Sequence, residues 1–532
     1  MKTPLQVIEL YPPHDYTLAG AFESRMSTGP DRDFLVYARK TWSWGEFHST
    51  MLGAARALMA RNIRRGDRVA IMARNSDAHV VLLFALARIG AIMVPVNTDF
   101  GVAEASYVLT HAGVSAVICS SDTLATARAA CAGLPAAPWF ALIDGAHDGL
   151  PDFFALVAEA PDSALPGDTA ADDTCLIVYT SGTTGFPKGA MHSQRSFVTG
   201  GEAFVARIHA QPDERLLTVL PLFHINALFY SLAGTLAAGA CIIVAPRFSA
   251  STFWQLAADT RATAVNIIEA IGTILMARPR SEFRADHRIT KLYGARQNVV
   301  QVFRDEFHIP HLIGGYGMTE IPGVTCNPID GPQKLGSMGP VGRHPDPARP
   351  WAQCRVVDDE DNDVETNETG ELLVKTPIIM QGYYKDAGQT RSAFRDGWFI
   401  TGDLVRRDED GYFFFVSRKK DIIRRRGENI AGAELDRIIG LHPSVFEVAA
   451  IAVPSELGED EILAAVVLNP GMQASAQELA DWCRARLAPH KVPRFFTFVG
   501  ELPHTPTHKV QKQVLRKDPM LRERAVDLKR YQ

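Results

Sequence analysis

The sequence predicts an α/β fold with more than one domain, and two observations lead to this prediction. The chain has 532 residues, which exceeds what one hydrophobic core usually organises, since domains contain roughly 100 to 200 residues. Segments with helical periodicity alternate with short apolar segments over residues 45–170 and again over residues 171–325. This alternation is typical of parallel, doubly wound sheets, so we expect two such subdomains.

The individual segments of these two stretches can be read from their apolar spacing. The helix candidates of the first stretch are residues 45–61 and 80–89. The strand candidates of both stretches are residues 68–72, 91–95, 175–179, 241–245 and 264–268.

One uncharged run, residues 227–245, is as long as a membrane span. Gly234, Gly239 and the β-branched residues 242–244 interrupt it. These residues predict a buried helix, a turn and a strand instead, and no membrane span.

The rest of the chain changes character twice. In residues 326–417, Gly and Pro turns separate short strands such as 354–357 and 370–374, which is typical of a small β-barrel. After Arg418 the pattern indicates a small α+β unit, with strands at 446–453 and 462–468 and a helix at 476–487. We therefore predict an N-terminal domain, residues 1–417, with subdomains at about 1–170, 171–325 and 326–417, and a C-terminal domain, residues 418–532.

Composition and charge exclude several classes of protein. Apolar residues make up 46% of the chain and charged residues 22%, which is ordinary for a globular protein and unlike a disordered one. The net charge of −5 favours neither nucleic acid nor an anionic membrane as a partner. The seven cysteines show no CxxC or zinc spacing, and the N-terminus shows no secretory signal. We therefore expect a cytoplasmic protein with reduced thiols.

Residues 179–189, Tyr-Thr-Ser-Gly-Thr-Thr-Gly-Phe-Pro-Lys-Gly, are suited to binding a polyphosphate. Glycines let the backbone approach an anion, hydroxyls and N–H groups donate hydrogen bonds, and lysine adds a charge. The run is not a Walker A loop, because Pro187 precedes Lys188 and Gly189 follows it. A surface turn would not require this order of residues. The predicted phosphate ligands are Thr180, Ser181, Gly182, Thr183, Thr184 and Lys188.

This run resembles the signature of the adenylate-forming superfamily, which comprises acyl- and aryl-CoA synthetases, adenylation domains of peptide synthetases and firefly-type luciferases. Further matching motifs follow in the family's order at residues 221–226, 314–320, 398–404 and 502–512. The resemblance implies an acid:CoA ligase that uses ATP, Mg²⁺ and coenzyme A. Such an enzyme forms an acyl-adenylate and pyrophosphate, and then a thioester and AMP. It also implies that the C-terminal domain is mobile and that its hinge lies at Lys420.

The motif at residues 314–320 predicts the nucleotide site. Gly315 and Gly317 would admit a flat ligand, and Tyr316 offers a ring face to the adenine. Thr319 offers a hydroxyl to the α-phosphate, and Glu320 offers a hard oxygen to Mg²⁺. The family contacts adenine, α-phosphate and metal at these positions. A glycine turn capped by Thr and Glu is the alternative interpretation.

Three further residues are expected to contact the substrates. Asp403 follows a strand-like run, where a carboxylate can accept both ribose hydroxyls. By resemblance, Arg418 also reaches the ribose, although Ser417 replaces the usual glycine beside it. His224 lies by resemblance at the acyl pocket, whereas a lone buried histidine is more often structural.

Six cations lie between residues 418 and 426. A nucleic-acid patch is one interpretation, but strand-like apolar residues interrupt the run and the chain is acidic. A hairpin edge that presents cations to the phosphates of coenzyme A fits better. By resemblance, Gly427 lies on the loop that approaches the pantetheine, and Lys509 is the catalytic lysine of the terminal signature. His508 replaces the usual glycine there.

The sequence says least about the acid and the acceptor. Glu269 follows a strand-like run where the family lines its acyl pocket, and residues 90–97 are similar to the crotonobetaine/carnitine-CoA ligase branch. A carboxylate there could bind a cationic acid, or it could hydrogen-bond nearby backbone. An adenylation enzyme that loads a separate carrier protein, a luciferase-like oxygenase and a non-catalytic nucleotide-binding regulator remain alternatives.

Overall fold

The chain consists of two compact units in a computed structural model that describes residues 1–180, 187–294, 297–349, 351–425, 428–455, 459–504 and 510–528. The first unit is Met1–Gln353, Val374–Trp398 and Asp410–Tyr412. The second is Cys354–Leu373, Phe399–Glu409 and Phe413–Gln532. The sequence-based boundary between residues 417 and 418 stays a prediction.

Helices and strands alternate along residues 1–170, and this alternation was expected for residues 45–170. The elements are α1 Pro4–Ile8, α2 Leu18–Met26, β1 Asp33–Tyr37, β2 Lys40–Ser43, α3 Trp44–Ala60, β3 Arg68–Met72, α4 Asp77–Arg88, β4 Ile92–Pro95, α5 Val102–Ala112, β5 Ala116–Cys119, α6 Leu124–Cys131, β6 Trp139–Leu142 and α7 Phe153–Ala158.

The alternation continues to residue 352. The elements are β7 Thr174–Thr180, β8 Lys188–Ser193, α8 Gln194–Ile208, β9 Arg215–Thr218, a π-helix Asn226–Leu232, α9 Ala233–Ala238, β10 Cys241–Val244, a 3₁₀ turn Ala250–Thr252, α10 Phe253–Asp259, β11 Ala264–Asn266, α11 Glu269–Ala277, a 3₁₀ turn Arg280–Glu282, β12 Lys291–Tyr293, α12 Gln297–Asp305, β13 His311–Ile313, β14 Gly315–Met318, β15 Ile321–Cys326 and β16 Ser337–Gly339.

Short strands dominate the remainder. The elements are β17 Gln353–Val357, β18 Thr369–Lys375, β19 Gly382–Tyr383, α13 Ala387–Ser392, β20 Phe394–Arg395, β21 Trp398–Arg407, β22 Phe413–Arg418, a 3₁₀ turn Lys419–Asp421, β23 Ile422–Arg425, β24 Glu428–Ala431, α14 Gly432–Gly440, β25 Val445–Pro454, β26 Asp460–Leu468, α15 Ala476–Arg484, a 3₁₀ turn Pro489–Lys491, β27 Phe495–Phe498, α16 Lys512–Lys517, α17 Pro519–Glu523 and β28 Val526–Asp527.

Two seven-stranded sheets form the first unit, and both are mostly parallel. One has the strand order β19-β8-β7-β4-β3-β5-β6 and the other β13-β12-β11-β9-β10-β1-β2. Pairs such as β3 with β4 and β9 with β10 are parallel, whereas β8 and β2 run antiparallel to their neighbours. Helices α4 and α8 are buried almost throughout and share one core with residues of both sheets. The predicted doubly wound α/β architecture is confirmed.

The uncharged run at residues 227–245 is a π-helix followed by α9, a left-handed Gly239 with φ 64°, and strand β10. The predicted succession of helix, turn and strand is confirmed. Within the described ranges, every helix is too short or too polar to cross a bilayer.

The second unit has its own cores. Strands β22, β21, β18 and β17 are neighbours in that order, and β25, β26, β27 and β28 form a four-stranded sheet. Helices α14 and α15 pack their apolar residues on one face of this sheet. The α+β character expected for the C-terminal region is therefore confirmed.

Candidate active site

The predicted phosphate loop joins two paired strands. Thr180 ends β7 and Lys188 begins β8, and the two residues are direct partners in the antiparallel register. Ser181, Gly182, Thr183 and Thr184 lie outside the described residues. The Nζ of Lys188 lies 4.9 Å from the centroid of the Tyr383 ring, a cation–π contact. The lysine is therefore directed from the end of the hairpin toward Tyr383.

Tyr383 connects Lys188 to Glu320. Its hydroxyl donates a 2.7 Å hydrogen bond to Oε1 of Glu320, whose side chain is buried. Burial, and then the negative charge of Glu320, raise the pKa of Tyr383, so the phenol remains a donor. The carboxylate is thus held in one orientation. This arrangement was not predicted from the sequence.

Glu320 suits a magnesium ion as a single hard-oxygen ligand. No group of three or more His, Cys, Asp or Glu residues that could hold a metal occurs in the described part of the chain. An ion held by Glu320 would therefore complete its ligand shell with phosphate oxygens and water, as Mg²⁺ commonly does.

The backbone of Thr319 is fixed by His192. His192 is completely buried, and its Nε2 lies 2.8 Å from the carbonyl oxygen of Thr319. Burial lowers the pKa of His192 to about 4, against the opposing effect of this hydrogen bond. The neutral imidazole consequently donates Nε2–H to Thr319 and positions the residue expected at the α-phosphate.

The strand that precedes Thr319 needs its glycines because of the residues behind it. A Cβ on Gly315 would lie 2.5 Å from the Oη of Tyr293, and a Cβ on Gly317 would lie 2.7 Å from the Oη of Tyr230. Both distances are shorter than van der Waals contact. Tyr316 is half-buried between these glycines, and Gly315 is exposed. Two buried phenols therefore support the strand predicted to bind adenine.

His224 lies just before the π-helix. Its ring centroid is 4.5 Å from that of Phe223, and both residues are partly exposed. Asn75 fixes this segment: its amide donates to the carbonyl of Leu220, and its Oδ1 accepts from the N–H of Leu222. Single π-helical turns are frequent at functional sites, and this one carries Tyr230.

In the second unit, the two predicted ribose ligands lie together. Asp403 on β21 and Arg418 on β22 are direct cross-strand partners, with Nε of Arg418 3.3 Å from Oδ1 of Asp403. Asp403 is buried and Arg418 is half-buried. Ser417 lies inside the strand opposite Leu404, where the backbone is extended and no glycine is required.

The run of cations is not one exposed surface. Strands β23 and β24 pair in antiparallel register, as expected for a hairpin. Lys419 lies 2.9 Å from Asp359 and 3.1 Å from Glu371, whereas Arg425 is buried against Glu461. The expectation that the hairpin presents its cations outward is wrong for Arg425. Sequence cannot show this, because its partner lies 36 residues further along the chain.

Lys420 lies in the 3₁₀ turn between β22 and β23, and the Nη1 of Arg516 donates to its carbonyl oxygen at 3.1 Å. The pKa of Lys420 is lowered to about 8, mainly because neighbouring residues exclude water from its ammonium group. Repulsion from Arg418 is the second cause. Its role as the hinge stays a prediction. Gly427 and Lys509 lie outside the described residues.

Glu269 is the first residue of α11 and is exposed. A carboxylate at this position is favoured by the partial positive charge of a helix N-terminus. This gives Glu269 a structural explanation that needs no substrate, and its assignment to the acyl pocket stays a prediction.

The chain belongs to the family of AMP-binding enzymes, which matches residues 22–384. The C-terminal domain of AMP-binding enzymes matches residues 434–509. The adenylate-forming superfamily recognised from the motifs is therefore confirmed.

Relatives cover nearly the whole chain. Sulfoacetate–CoA ligase of Cupriavidus necator is 33% identical over 507 residues, which are 93% of this chain and 96% of the relative. Crotonobetaine/carnitine–CoA ligase of Shigella dysenteriae is 28% identical and covers 89% of this chain and 93% of its own. ATP-bound MatB from Rhodopseudomonas palustris has a similar structure, with a TM-score of 0.83, 30% identity, and 94% and 98% of the two chains covered.

Two residues of the site were missed by sequence reasoning for different reasons. His192 follows Lys188 by four residues on β8, so strand periodicity could have placed both side chains on one face. Tyr383 lies in a two-residue strand nearly two hundred residues after Lys188. No local pattern identifies it as the partner of Glu320.

Proposed function

We propose that this protein is an ATP-dependent carboxylic acid:CoA ligase that works in two steps. The observation that carries the proposal is the contact series from Lys188 through Tyr383 to Glu320, with Thr319 adjacent. These contacts bring together a cation, Lys188, a carboxylate suited to a metal ion, Glu320, and the hydroxyl-bearing residue Thr319. Membership in the AMP-binding family and ligase relatives over nearly the whole chain support the same function.

In the first step, the acid's carboxylate attacks the α-phosphorus of ATP and pyrophosphate leaves. Lys188 and the hydroxyls of the phosphate loop bind the β- and γ-phosphates, and Thr319 donates to the α-phosphate. Asp403 accepts from the ribose hydroxyls, and Arg418, its cross-strand partner, orients this carboxylate. Bound at Glu320, Mg²⁺ would neutralise phosphate charge. Catalysis then rests on positioning and electrostatic stabilisation, with Lys509 as the cation at the α-phosphate.

In the second step, the thiolate of coenzyme A attacks the acyl carbon, and AMP leaves. We assign Gly427 to the pantetheine approach and Lys420 to the hinge that exchanges the two arrangements. His224 is assigned to the acyl pocket. The exposed cations Lys420 and Arg424 remain available to the phosphates of coenzyme A.

The acid is small to medium-sized in this proposal, and the relatives suggest two opposite types. One relative is named for sulfoacetate, which carries a second anion, and another for crotonobetaine and carnitine, which carry a quaternary ammonium. Glu269 would favour the cationic type. Loading of a carrier protein instead of coenzyme A is the alternative for the second step.

The proposal is tested by incubating the enzyme with ATP, Mg²⁺, coenzyme A and a panel of acids, and measuring pyrophosphate, AMP and thioester. Lys509→Ala should slow pyrophosphate release by about 10²- to 10³-fold, since one preorganised charge is lost. Lys517→Ala, an exposed lysine of the same basic segment, is the matched control. Near wild-type pyrophosphate release by Lys509→Ala would overturn the assignment.

The two-step mechanism has its own test. Lys420→Pro fixes φ at the assigned hinge, so adenylate should accumulate while thioester formation slows, whereas Lys420→Ala should behave as wild type. Thioester formation at the normal rate by Lys420→Pro would place the hinge elsewhere.

A further inference from the structure

Arg207, near the end of α8, is a buried cation that the proposed mechanism does not use. Its side chain is only 4% exposed. The guanidinium donates through Nη2 to the carbonyl oxygen of Gly323 and lies 5.5 Å from the centroid of the Tyr230 ring. Its Nε and Nη1 are buried without a hydrogen bond of normal geometry, and the guanidinium interacts with the phenols of Tyr230 and Tyr293 through weaker hydrogen bonds. The donor capacity of this arginine is therefore only partly used.

No carboxylate among the described residues forms an ion pair with Arg207. Glu202, one and a half turns earlier on α8, is bound instead to His14 at 3.5 Å and to His344 at 3.0 Å. Burial raises the pKa of Tyr230 and of Tyr293, against a smaller lowering by Arg207, so both phenols are neutral. The positive charge is therefore uncompensated.

An uncompensated buried charge is expensive, because desolvation of an ion is repaid only by an opposite charge and by hydrogen bonds. An arginine that serves only the fold has its counter-charge within the protein, as Arg25 has in the nearby Glu202. An arginine with a rigid fork of free N–H groups is suited to a planar anion, which it can bind through two parallel hydrogen bonds.

Arg207 lies close to strand β14, Gly315–Met318, which is predicted to bind adenine. Gly323, which covers the guanidinium, has φ 73°, and a Cβ there would collide with Arg207. A Cβ on Gly317 would lie 2.8 Å from the Cα of Gly323 and 2.7 Å from the Oη of Tyr230. Arg207 is thus separated from the Gly315–Met318 strand by one glycine and one phenol.

The two phenols beside Arg207 have both aromatic and polar neighbours, since the Phe204 ring lies against Tyr230 and Tyr293. Asn266 pairs with Tyr293 in the sheet register, and its amide donates to the Oγ of Ser231 at 2.9 Å. The two phenols, the amide and the hydroxyl can hydrogen-bond a polar substituent of an acid.

We propose that Arg207 binds a second anionic group on the acid, so that the preferred substrates are short dicarboxylic or sulfonocarboxylic acids. The proposal rests on the ligase function above and specifies its substrate class. The anion supplies the missing counter-charge and accepts hydrogen bonds from Nε and Nη1. These hydrogen bonds fix the position of the acid, so that its other carboxylate lies next to the α-phosphate. An acid with a cationic tail is disfavoured by the same charge.

The test compares acids that differ in charge and hardly in shape. Malonate and 3-methylbutanoate are isosteric, since a carboxylate replaces an isopropyl group, and succinate and 4-methylpentanoate form a second pair. Pyrophosphate release should show wild-type kcat/KM at least about 100-fold higher for the dianion of the better pair, because a site built for a polar group rejects an analogue that lacks it.

Arg207→Met should reduce kcat/KM for the dianion by about 100-fold and leave the neutral acid within about threefold, and Arg207→Lys should restore part of the preference. Arg25→Met is the control: Arg25 is also a buried arginine with unbonded nitrogens, but it lies on α2, and its replacement should leave the ratio of the two acids unchanged. A ratio is insensitive to loss of folded enzyme.

Failure of this proposal is distinguishable from failure of the ligase function. If neutral acids react as well as dianions, or Arg207→Met lowers both equally, the Arg207 proposal is overturned and the ligase function stands. If no acid yields pyrophosphate, the ligase function is overturned. A thermal shift of the wild type by malonate but not by 3-methylbutanoate, abolished in Arg207→Met, would support the anion site in either case, and its absence would oppose it.

Discussion

Two buried arginines, Arg207 in the first unit and Arg425 in the second, differ in what surrounds them. Arg425 has an oxygen near every guanidinium nitrogen: Nε lies 3.0 Å and Nη2 2.9 Å from Glu461, and Nη1 lies 2.7 Å from the carbonyl of His490 and 2.9 Å from that of Val492. Arg207 has one backbone carbonyl, weaker contacts with the phenols of Tyr230 and Tyr293, and no carboxylate partner among the described residues. The charge of Arg425 is paired within the fold, whereas no carboxylate of the described residues pairs with Arg207.

This difference separates structural from functional roles without any knowledge of the reaction. A buried polar group that the protein satisfies contributes to the fold, and removing its partner destabilises the protein. A buried charge without a counter-charge in the protein lowers stability and is a candidate for a functional role. The predictions below test this distinction with buried groups of both kinds, in decreasing order of expected effect.

Arg425→Met should destabilise the second unit by about 3–5 kcal/mol, because Glu461 would remain buried without its counter-charge. Chemical denaturation with a probe in the second unit measures this loss. The double variant Arg425→Met/Glu461→Met should regain most of it. A single variant as stable as the wild type would show that this ion pair does not support the fold.

His192 should make the protein sensitive to acid. Its pKa is about 4 in the folded protein and about 6.5 when unfolded, so the unfolded state binds more protons between these values. Stability is therefore fully present above pH 6.5 and decreases as the pH falls to 4, by about 3 kcal/mol in total.

His192→Gln, which retains a donor for Thr319, should flatten this part of the stability profile. Exposed His147→Gln is the control and should leave the profile unchanged. Equal profiles for the wild type and His192→Gln in urea denaturation between pH 4 and 6.5 would contradict the assignment of a neutral, buried imidazole.

Tyr383→Phe should raise the Mg²⁺ concentration needed for half-maximal pyrophosphate release by about tenfold, because the carboxylate of Glu320 loses the donor that orients it. The rate at saturating Mg²⁺ should change much less. Tyr384→Phe is the matched control, since the Tyr384 hydroxyl makes only a 3.4 Å contact with a backbone carbonyl. An unchanged Mg²⁺ dependence would remove Glu320 from the metal site.

Arg207→Met should change stability least, by less than about 1 kcal/mol, since replacing a charge that has no counter-charge removes a desolvation penalty along with one hydrogen bond. Denaturation in parallel with Arg425→Met makes the comparison direct. A loss of several kcal/mol would mean that Arg207 belongs to the fold as Arg425 does.

The sequence predicted the fold well where local pattern decides structure. Strand β3 has the predicted bounds, and helix α3 differs from the prediction by one residue at each end. The prediction placed the end of the helix at 476–487 too late: α15 ends at Arg484, because the pattern alone does not locate a helix end.

The site could be predicted only in part. Thr180, Lys188, Thr319 and Glu320 stand in recognisable motifs, because close contact with phosphate and metal restricts residue type within a short segment. Arg207, Tyr230 and Tyr383 have no such motif: their roles arise from burial and from partners distant in the chain. The run of six cations likewise does not show that one of them, Arg425, is buried and does not face solvent.

The central claim is tested most directly by one competition experiment. Sulfoacetate, 3,3-dimethylbutanoate and glycine betaine share one shape and differ in the charge of the group beyond the methylene, which is negative, neutral or positive. Wild-type enzyme is given ATP, Mg²⁺, coenzyme A and an equimolar mixture of the three, and the thioesters are quantified by mass spectrometry. The account predicts that the sulfoacetyl thioester predominates and that one AMP forms per thioester. Predominance of the betaine thioester would favour Glu269 over Arg207, and the absence of any thioester would contradict the account.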